Sequence, residues 1–158
     1  MKPVVTLTIR ECSPADEDVK PLLVALSHEL TQITGNDGRA SFSDTDVQEV
    51  RSVFLVAVAN GEPVGCGGLR LLTEDICEVK RMYAKHRGLG IGREILNSLE
   101  RYAQDFGYEA IWLETRKVNE NAVKFYLQQG YHVRSNYGKY IGRSEAICFE
   151  KRIVASSM

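Results

Sequence analysis

The sequence predicts one α/β (α+β) domain whose sheet mixes parallel and antiparallel strand pairs. Three observations lead there. The chain has 158 residues, the size of a single ordinary domain, enough to bury roughly two-thirds of its unfolded surface. Asn60-Gly61 separates two apolar runs, the signature of a tight hairpin and so of an antiparallel pair. The strongest helical periodicity, Gly90 to Phe106, lies between two strand-like runs, as a crossover between strands does.

The elements follow in order. Val4 to Arg10 alternates and is β-branched, which predicts a strand. Ser13-Pro14 followed by Asp16, Glu17 and Asp18 predicts a helix start, since acids favour the positive end of the helix dipole. Val19, Leu22, Leu23, Leu26, Leu30 and Ile33 then recur at helical spacing. Pro21 conflicts with one unbroken helix, so a restart that puts it in a first turn is expected. Gly35-Asn36-Asp37-Gly38 ends that helix, and Ser43 or Asp44 starts a short second one to about Arg51. Strands are expected over Val53 to Ala59, Glu62 to Leu71 and Ile76 to Ala84. In Gly90 to Phe106 the residues Ile91, Ile95, Leu99, Tyr102, Ala103 and Phe106 share one face, and Gly107 stops the helix. Ala110 to Thr115 reads as a strand. Asn119 to Gln129 reads as a helix capped by Asn119, with Gly130 just past its end. Tyr131 to Tyr137 and Glu145 to Ile153 are the last strands expected.

Composition narrows the function classes. Apolar residues are 44% and charged residues 26%, which argues against disorder and against a disulfide scaffold. Twenty basic side chains face 21 acidic ones, so the chain lacks the general attraction to polyphosphate of a nucleic-acid binder. No apolar run approaches the roughly 20 residues that cross a bilayer, and Thr6, Thr8 and Arg10 interrupt any leader-like stretch. Cys12, Cys66, Cys77 and Cys148 form no C-x-x-C pair, and His28, His86 and His132 are scattered, so no metal site is expected. Unpaired thiols point to a reducing, cytoplasmic setting. Neither nucleic acid nor membrane is an expected partner, and the sequence leaves a homodimer open.

The informative segment is Arg87-Gly88-Leu89-Gly90-Ile91-Gly92, between a strand and the best helix. Glycines let a backbone approach a ligand, and a helix amino terminus offers unpaired N–H groups and a positive dipole end. Together they make a pyrophosphate cradle. Arg87 and Arg93 add charge, with Lys80, Arg81, Lys85 and His86 upstream. The run is neither a dinucleotide fingerprint, because Arg93 stands where the last glycine should be, nor a Walker A loop.

The run fits the pattern [QR]-x-x-G-x-[GA] and resembles the coenzyme A loop of the GNAT family of N-acetyltransferases. Glu78-Val79-Lys80-Arg81-Met82-Tyr83-Ala84 resembles that family's fourth strand, and Trp112-Leu113-Glu114-Thr115 its fifth. Asn119-Glu120-Asn121-Ala122 with Phe125-Tyr126 and Gly130-Tyr131 resembles the next helix and turn. Gly138-Lys139-Tyr140-Ile141-Gly142 and Cys148-Phe149-Glu150-Lys151 resemble the ending of a bacterial subgroup of small acetyltransferases. The resemblance implies a mainly antiparallel sheet of about seven strands, flanked by helices, with two parallel central strands that splay. It also implies acetyl-CoA as cosubstrate and direct attack on its thioester by the primary amine of a small molecule, amino acid or peptide.

The resemblance carries over to residues. Tyr126, before the Gly130-Tyr131 pair, is the expected hydrogen-bond donor or acid for the departing thiolate. Glu78 is the expected base, directly or through water, with Glu29 and Glu114 in reserve. Met82, Tyr83 and Ala84 are expected along the pantetheine, with the Met82 N–H toward the oxyanion. Arg87, Gly88, Leu89, Gly90, Ile91, Gly92 and Arg93 are expected around the pyrophosphate. Asn119 is equally a helix cap and a coenzyme contact, and Tyr137 and Tyr140 precede the last strand, where the acceptor enters. A catalytically silent acyl-CoA-binding module is the competing class.

Overall fold

The computed structural model describes residues 6–37 and 50–153. The elements are β1 (Leu7–Glu11), α1 (Lys20–Thr34), β2 (Val53–Ala59), β3 (Glu62–Leu71), β4 (Ile76–Ala84), α2 (Ile91–Phe106), β5 (Ala110–Arg116), α3 (Glu120–Gln128), β6 (His132–Arg134) and β7 (Ala146–Arg152), with a 3-10 turn at Gly138–Tyr140. They build one seven-stranded sheet in the order β1-β2-β3-β4-β5-β7-β6. Every neighbouring pair is antiparallel except β4 and β5, which run parallel. The mixed, mainly antiparallel class expected from the sequence is therefore the fold.

Local chemistry explains the elements. The β2–β3 hairpin closes through Asn60 and Gly61 at φ 52° and 80°, a pair of left-handed residues whose twist matches that of the strands. Gly107, at φ 87°, ends α2 in a Schellman motif: its N–H bonds Gln104 O, and the Tyr108 N–H bonds Ala103 O. Pro21 falls in the first turn of α1, where its missing N–H is harmless. The acidic run before it is not helical. Ser13 and Asp16 side chains accept from the N–H groups of Ala15 and Asp18 and wind that segment into turns. The last two strands are shorter than expected, because Ser135 to Tyr137 leaves the ladder to pack its tyrosine inward. The helix expected from Ser43 or Asp44 lies mostly outside the described residues.

The sheet is covered on both faces. α2 and α3 bury Ile91, Ile95, Leu96, Leu99 and Tyr126 against the odd-numbered residues of β2, Cys77 and Val79 of β4, and Ile111 and Leu113 of β5. α1 covers the other face through Leu22, against Phe54, Val56 and Cys66. Buried β3 glycines let α2 lie close. A Cβ built on Gly65 would come within 2.7 Å of Ile91 Cγ2, 2.8 Å of Ile95 Cδ1 and 2.9 Å of the Tyr83 carbonyl oxygen.

Two irregularities shape the centre. β4 carries a bulge: Cys66 pairs with Tyr83 but Gly68 with Lys80, and Arg81 sits at φ 56°. The left-handed Arg81 is held by its own side chain, which donates to Ser27 Oγ at 2.7 Å, Asp37 O at 3.0 Å and Leu23 O at 3.4 Å. The parallel β4–β5 pairing covers only Ile76–Ala110, Cys77–Ile111 and Glu78–Trp112. Beyond that point the two strands part, while β5 stays paired with β7 to Arg116.

Gly65→Ala should destabilise the protein by about 1–3 kcal/mol, the usual cost of overpacking. One of the blocking atoms is backbone and cannot rotate away. Urea unfolding checks this, and wild-type stability would mean that α2 lifts off β3 freely.

Candidate active site

A cleft of about 1050 Å³ opens where β4 and β5 part. Its walls come from the outer half of β4, the end of β5, the loop before α2, one side of α3, the inner side of α1 and the 3-10 turn. Because it passes through the split in the sheet, it connects the α2–α3 face with the α1 face.

On the first of those faces lies the glycine loop. Arg87, Gly88, Leu89, Gly90, Ile91, Gly92 and Arg93 all line the cleft. Gly88 and Gly90 have φ of 79° and 76°, so glycine is needed there for conformation. Gly90 is the N-cap of α2 and supplies no side-chain acceptor for the first-turn N–H groups. Gly92 acts through its size. A Cβ there would stand 3.3 Å from the Phe125 ring, so its smallness lets α2 and α3 meet. The upstream cations do not join the loop. Lys80 and Arg81 turn to the α1 face, and Lys85 pairs with Glu62.

Met82, Tyr83 and Ala84 line the cleft from β4. Tyr83 and Ala84 pair with β3 on one edge, and β5 has withdrawn from the other. A strand edge thus faces the cleft with backbone groups at strand spacing. Asn119 caps α3, its side-chain oxygen accepting from the Ala122 N–H at 3.4 Å, and also lines the cleft.

Tyr126 projects from α3 among Phe125, Tyr131 and Phe149, at ring distances of 5.1, 5.8 and 6.1 Å. Burial pushes its hydroxyl well above the usual tyrosine range. The hydroxyl makes no hydrogen bond among the described residues, and no fully enclosed side-chain oxygen among them lacks a partner. It therefore opens onto the cleft.

Glu78 is placed differently from the expectation. It is 1% exposed and does not line the cleft. Arg70 holds Oε1 from Nε at 2.9 Å and Nη2 at 2.8 Å, while Oε2 accepts the Tyr137 hydroxyl and lies 3.7 Å from Lys80 Nζ. A base open to an incoming amine has free lone pairs, and these are occupied. Of the β-strand carboxylates, Glu114 lines the cleft, paired with Arg116 and raised in pKa by burial. Glu29 also lines it, paired with Arg87 at 3.1 Å.

Sequence reasoning missed Lys80 as a wall of the site. It is 8% exposed, donates to the Tyr140 hydroxyl at 2.7 Å, and burial lowers its pKa to about 8. Alternation put it on the same strand face as Glu78, but nothing local could reveal a partner 60 residues away.

The sequence model of the Acetyltransferase (GNAT) family matches residues 23–131, more than half of the chain. The chain belongs to the GNAT acetyltransferase family. Like the family, it is an acetyltransferase that uses acetyl-CoA as cosubstrate. An IAA acetyltransferase of Azospirillum brasilense is 31% identical over 137 residues, 85% of this chain and 90% of that protein. A solved acyl-CoA N-acyltransferase of Klebsiella pneumoniae aligns at TM-score 0.79 and 26% identity, covering 94% of this chain and 98% of the other. The fold is shared at lower identity with the PaiA N-acetyltransferase of Thermoplasma acidophilum, solved with coenzyme A, at TM-score 0.71 and 18% identity over 93% and 99% of the chains.

Glu78→Gln removes the buried carboxylate that Arg70 and Lys80 share, so it should lower stability by about 3 kcal/mol or more. Its kcat/KM profile should be offset in parallel at all pH values. Denaturant unfolding and a pH–rate profile check this. Native stability with a defect confined to low pH would restore Glu78 as the base.

Proposed function

We propose that this acetyltransferase transfers acetyl from acetyl-CoA to the primary amine of a small molecule, amino acid or peptide, by direct attack in a ternary complex. The observation that carries the reading is the unbonded Tyr126 hydroxyl in the cleft that the glycine loop also lines. The pyrophosphate rests on the N–H groups at the start of α2, with Arg87 and Arg93 beside it. The pantetheine follows the open edge of β4 along Met82, Tyr83 and Ala84, with Asn119 on the opposite wall. The amine reaches the thioester through the split from the α1 face.

The amine nitrogen bonds to the carbonyl carbon, and the bulge N–H at Met82 receives the developing oxyanion. The C–S bond then breaks and the sulfur leaves with the electron pair. An unperturbed tyrosine titrates near 10 and a thiol near 8.5, so proton transfer to the thiolate is uphill by roughly 2 kcal/mol. Burial raises the tyrosine further, which suits Tyr126 to donating a hydrogen bond while staying neutral. The amine proton leaves most easily from the zwitterionic intermediate, through water to Glu114, whose raised pKa improves the match. Glu78 holds Lys80 at the acceptor mouth.

A screen of amines, amino acids and peptides with acetyl-CoA, read as released CoA, tests the reading. Binding of acetyl-CoA without release on any amine would mark a silent module. Gly90→Val adds a β-branched side chain at a left-handed position of the cradle. It should abolish acetyl-CoA binding by the folded protein in calorimetry, and unchanged affinity would refute the cradle. Tyr126→Phe should lower kcat about ten- to a thousandfold with little change in acetyl-CoA affinity. Wild-type kcat with chemistry rate-limiting would remove Tyr126 from the reaction.

A further inference from the structure

Among the described residues, the α1-face mouth of the cleft carries more cationic side chains than carboxylates. Glu78 and Glu114 are engaged there with Arg70, Lys80 and Arg116. Lys139 and Arg143 also line the cleft, and neither has a carboxylate partner among the described residues. Both come from the segment around the 3-10 turn, on the face opposite the glycine loop.

That segment is held in place. Asn136 Nδ2 donates to the carbonyls of Tyr140 and Arg143 at 3.1 and 3.0 Å, and the Arg143 N–H bonds Tyr140 O at 3.0 Å. Tyr137 and Tyr140 are buried beneath it, their rings 5.5 Å apart. The cations therefore stand on a fixed support, and an arriving anion need not order it.

They also disfavour one another. Lys139 is disfavoured as an ammonium first by burial and then by Arg70, with Arg143 adding to it and Glu78 and Glu114 opposing. Lys80 is disfavoured as an ammonium first by burial; Glu78 opposes this, Arg70 and Lys139 add to it, and Glu114 opposes it again. Like charges facing a common space are stabilised by an anion placed between them.

We propose that the acceptor amine of this enzyme carries a carboxylate, bound by Lys139 and Arg143 with Lys80 behind them. This rests on the acetyl-transfer reading of the cleft and names its substrate class: amino acids and related amino carboxylates, rather than polyamines or neutral amines. The carboxylate anchors at the 3-10 turn and its amine points through the split toward the thioester.

The test is acetyl-CoA turnover on matched sets of substrates. Each set holds an amino acid, its carboxamide and its decarboxylated amine, and the sets span several side chains. The free acid should exceed its carboxamide in kcat/KM about ten- to a hundredfold, the range of a charge-assisted hydrogen bond. The variant Lys139→Gln/Arg143→Gln, altered only at exposed positions, should lose most of that preference. Equal or faster turnover of the carboxamides or decarboxylated amines overturns the proposal and leaves the acetyl-transfer reading standing. So does a variant that keeps the preference, or one whose defect falls only on the KM for acetyl-CoA. No turnover on any amine overturns both readings together.

Discussion

The parting of β4 from β5 is the constraint on which the molecule depends. The two strands share a parallel ladder for three residue pairs and then separate. From there β4 belongs to a half-sheet with β1, β2 and β3, and β5 to one with β7 and β6. Backbone N–H and C=O groups are not left unpaired in a protein interior without penalty. An open edge at the centre of a sheet is therefore a place for a ligand with its own hydrogen-bonding groups. The bulge at Arg81 belongs to the same device. It puts Lys80 and Arg81 on the α1 face, returns Met82 to the α2–α3 face, and interrupts the ladder beside the cleft.

Where backbone bonding between the half-sheets ends, side-chain bonding takes over. Glu78, the last β4 residue paired with β5, reaches Tyr137 beyond β6, and Lys80 reaches Tyr140. Trp112, opposite Glu78, packs on Tyr137 at 5.0 Å and lies under the Arg134 guanidinium at 3.6 Å. These polar links tie the half-sheets together on the α1 face while the cleft keeps them apart. Buried ion pairs of this kind add little over well-packed apolar groups, but they are costly to break on one side. Their contribution here is placement: they set the tyrosines and Lys80 at the α1-face mouth of the cleft.

Much of this is legible in the chain. Asn60-Gly61, Gly107 and the Asn119 cap each act through a few neighbouring residues, so their turns and caps can be read locally. The glycine loop is legible for the same reason, since it works through its own backbone and the helix it starts. The bulge is not, because Arg81 is a non-glycine residue held left-handed by contacts with α1. Nor is the closed setting of Glu78, whose partners Arg70 and Tyr137 come from different parts of the chain.

By itself, then, the sequence determined the order of the described strands and helices, the two tight glycine turns, the glycine-rich loop before α2 and the membership of Tyr126 in α3. These depend on periodicity, φ preference and capping, which act over a few residues. The tertiary structure alone decided where the sheet splits, which carboxylates face the cleft, and which cations at its mouth lack a carboxylate among the described residues. Those depend on long-range pairing, because the charge state and openness of a side chain are set by what lies across from it.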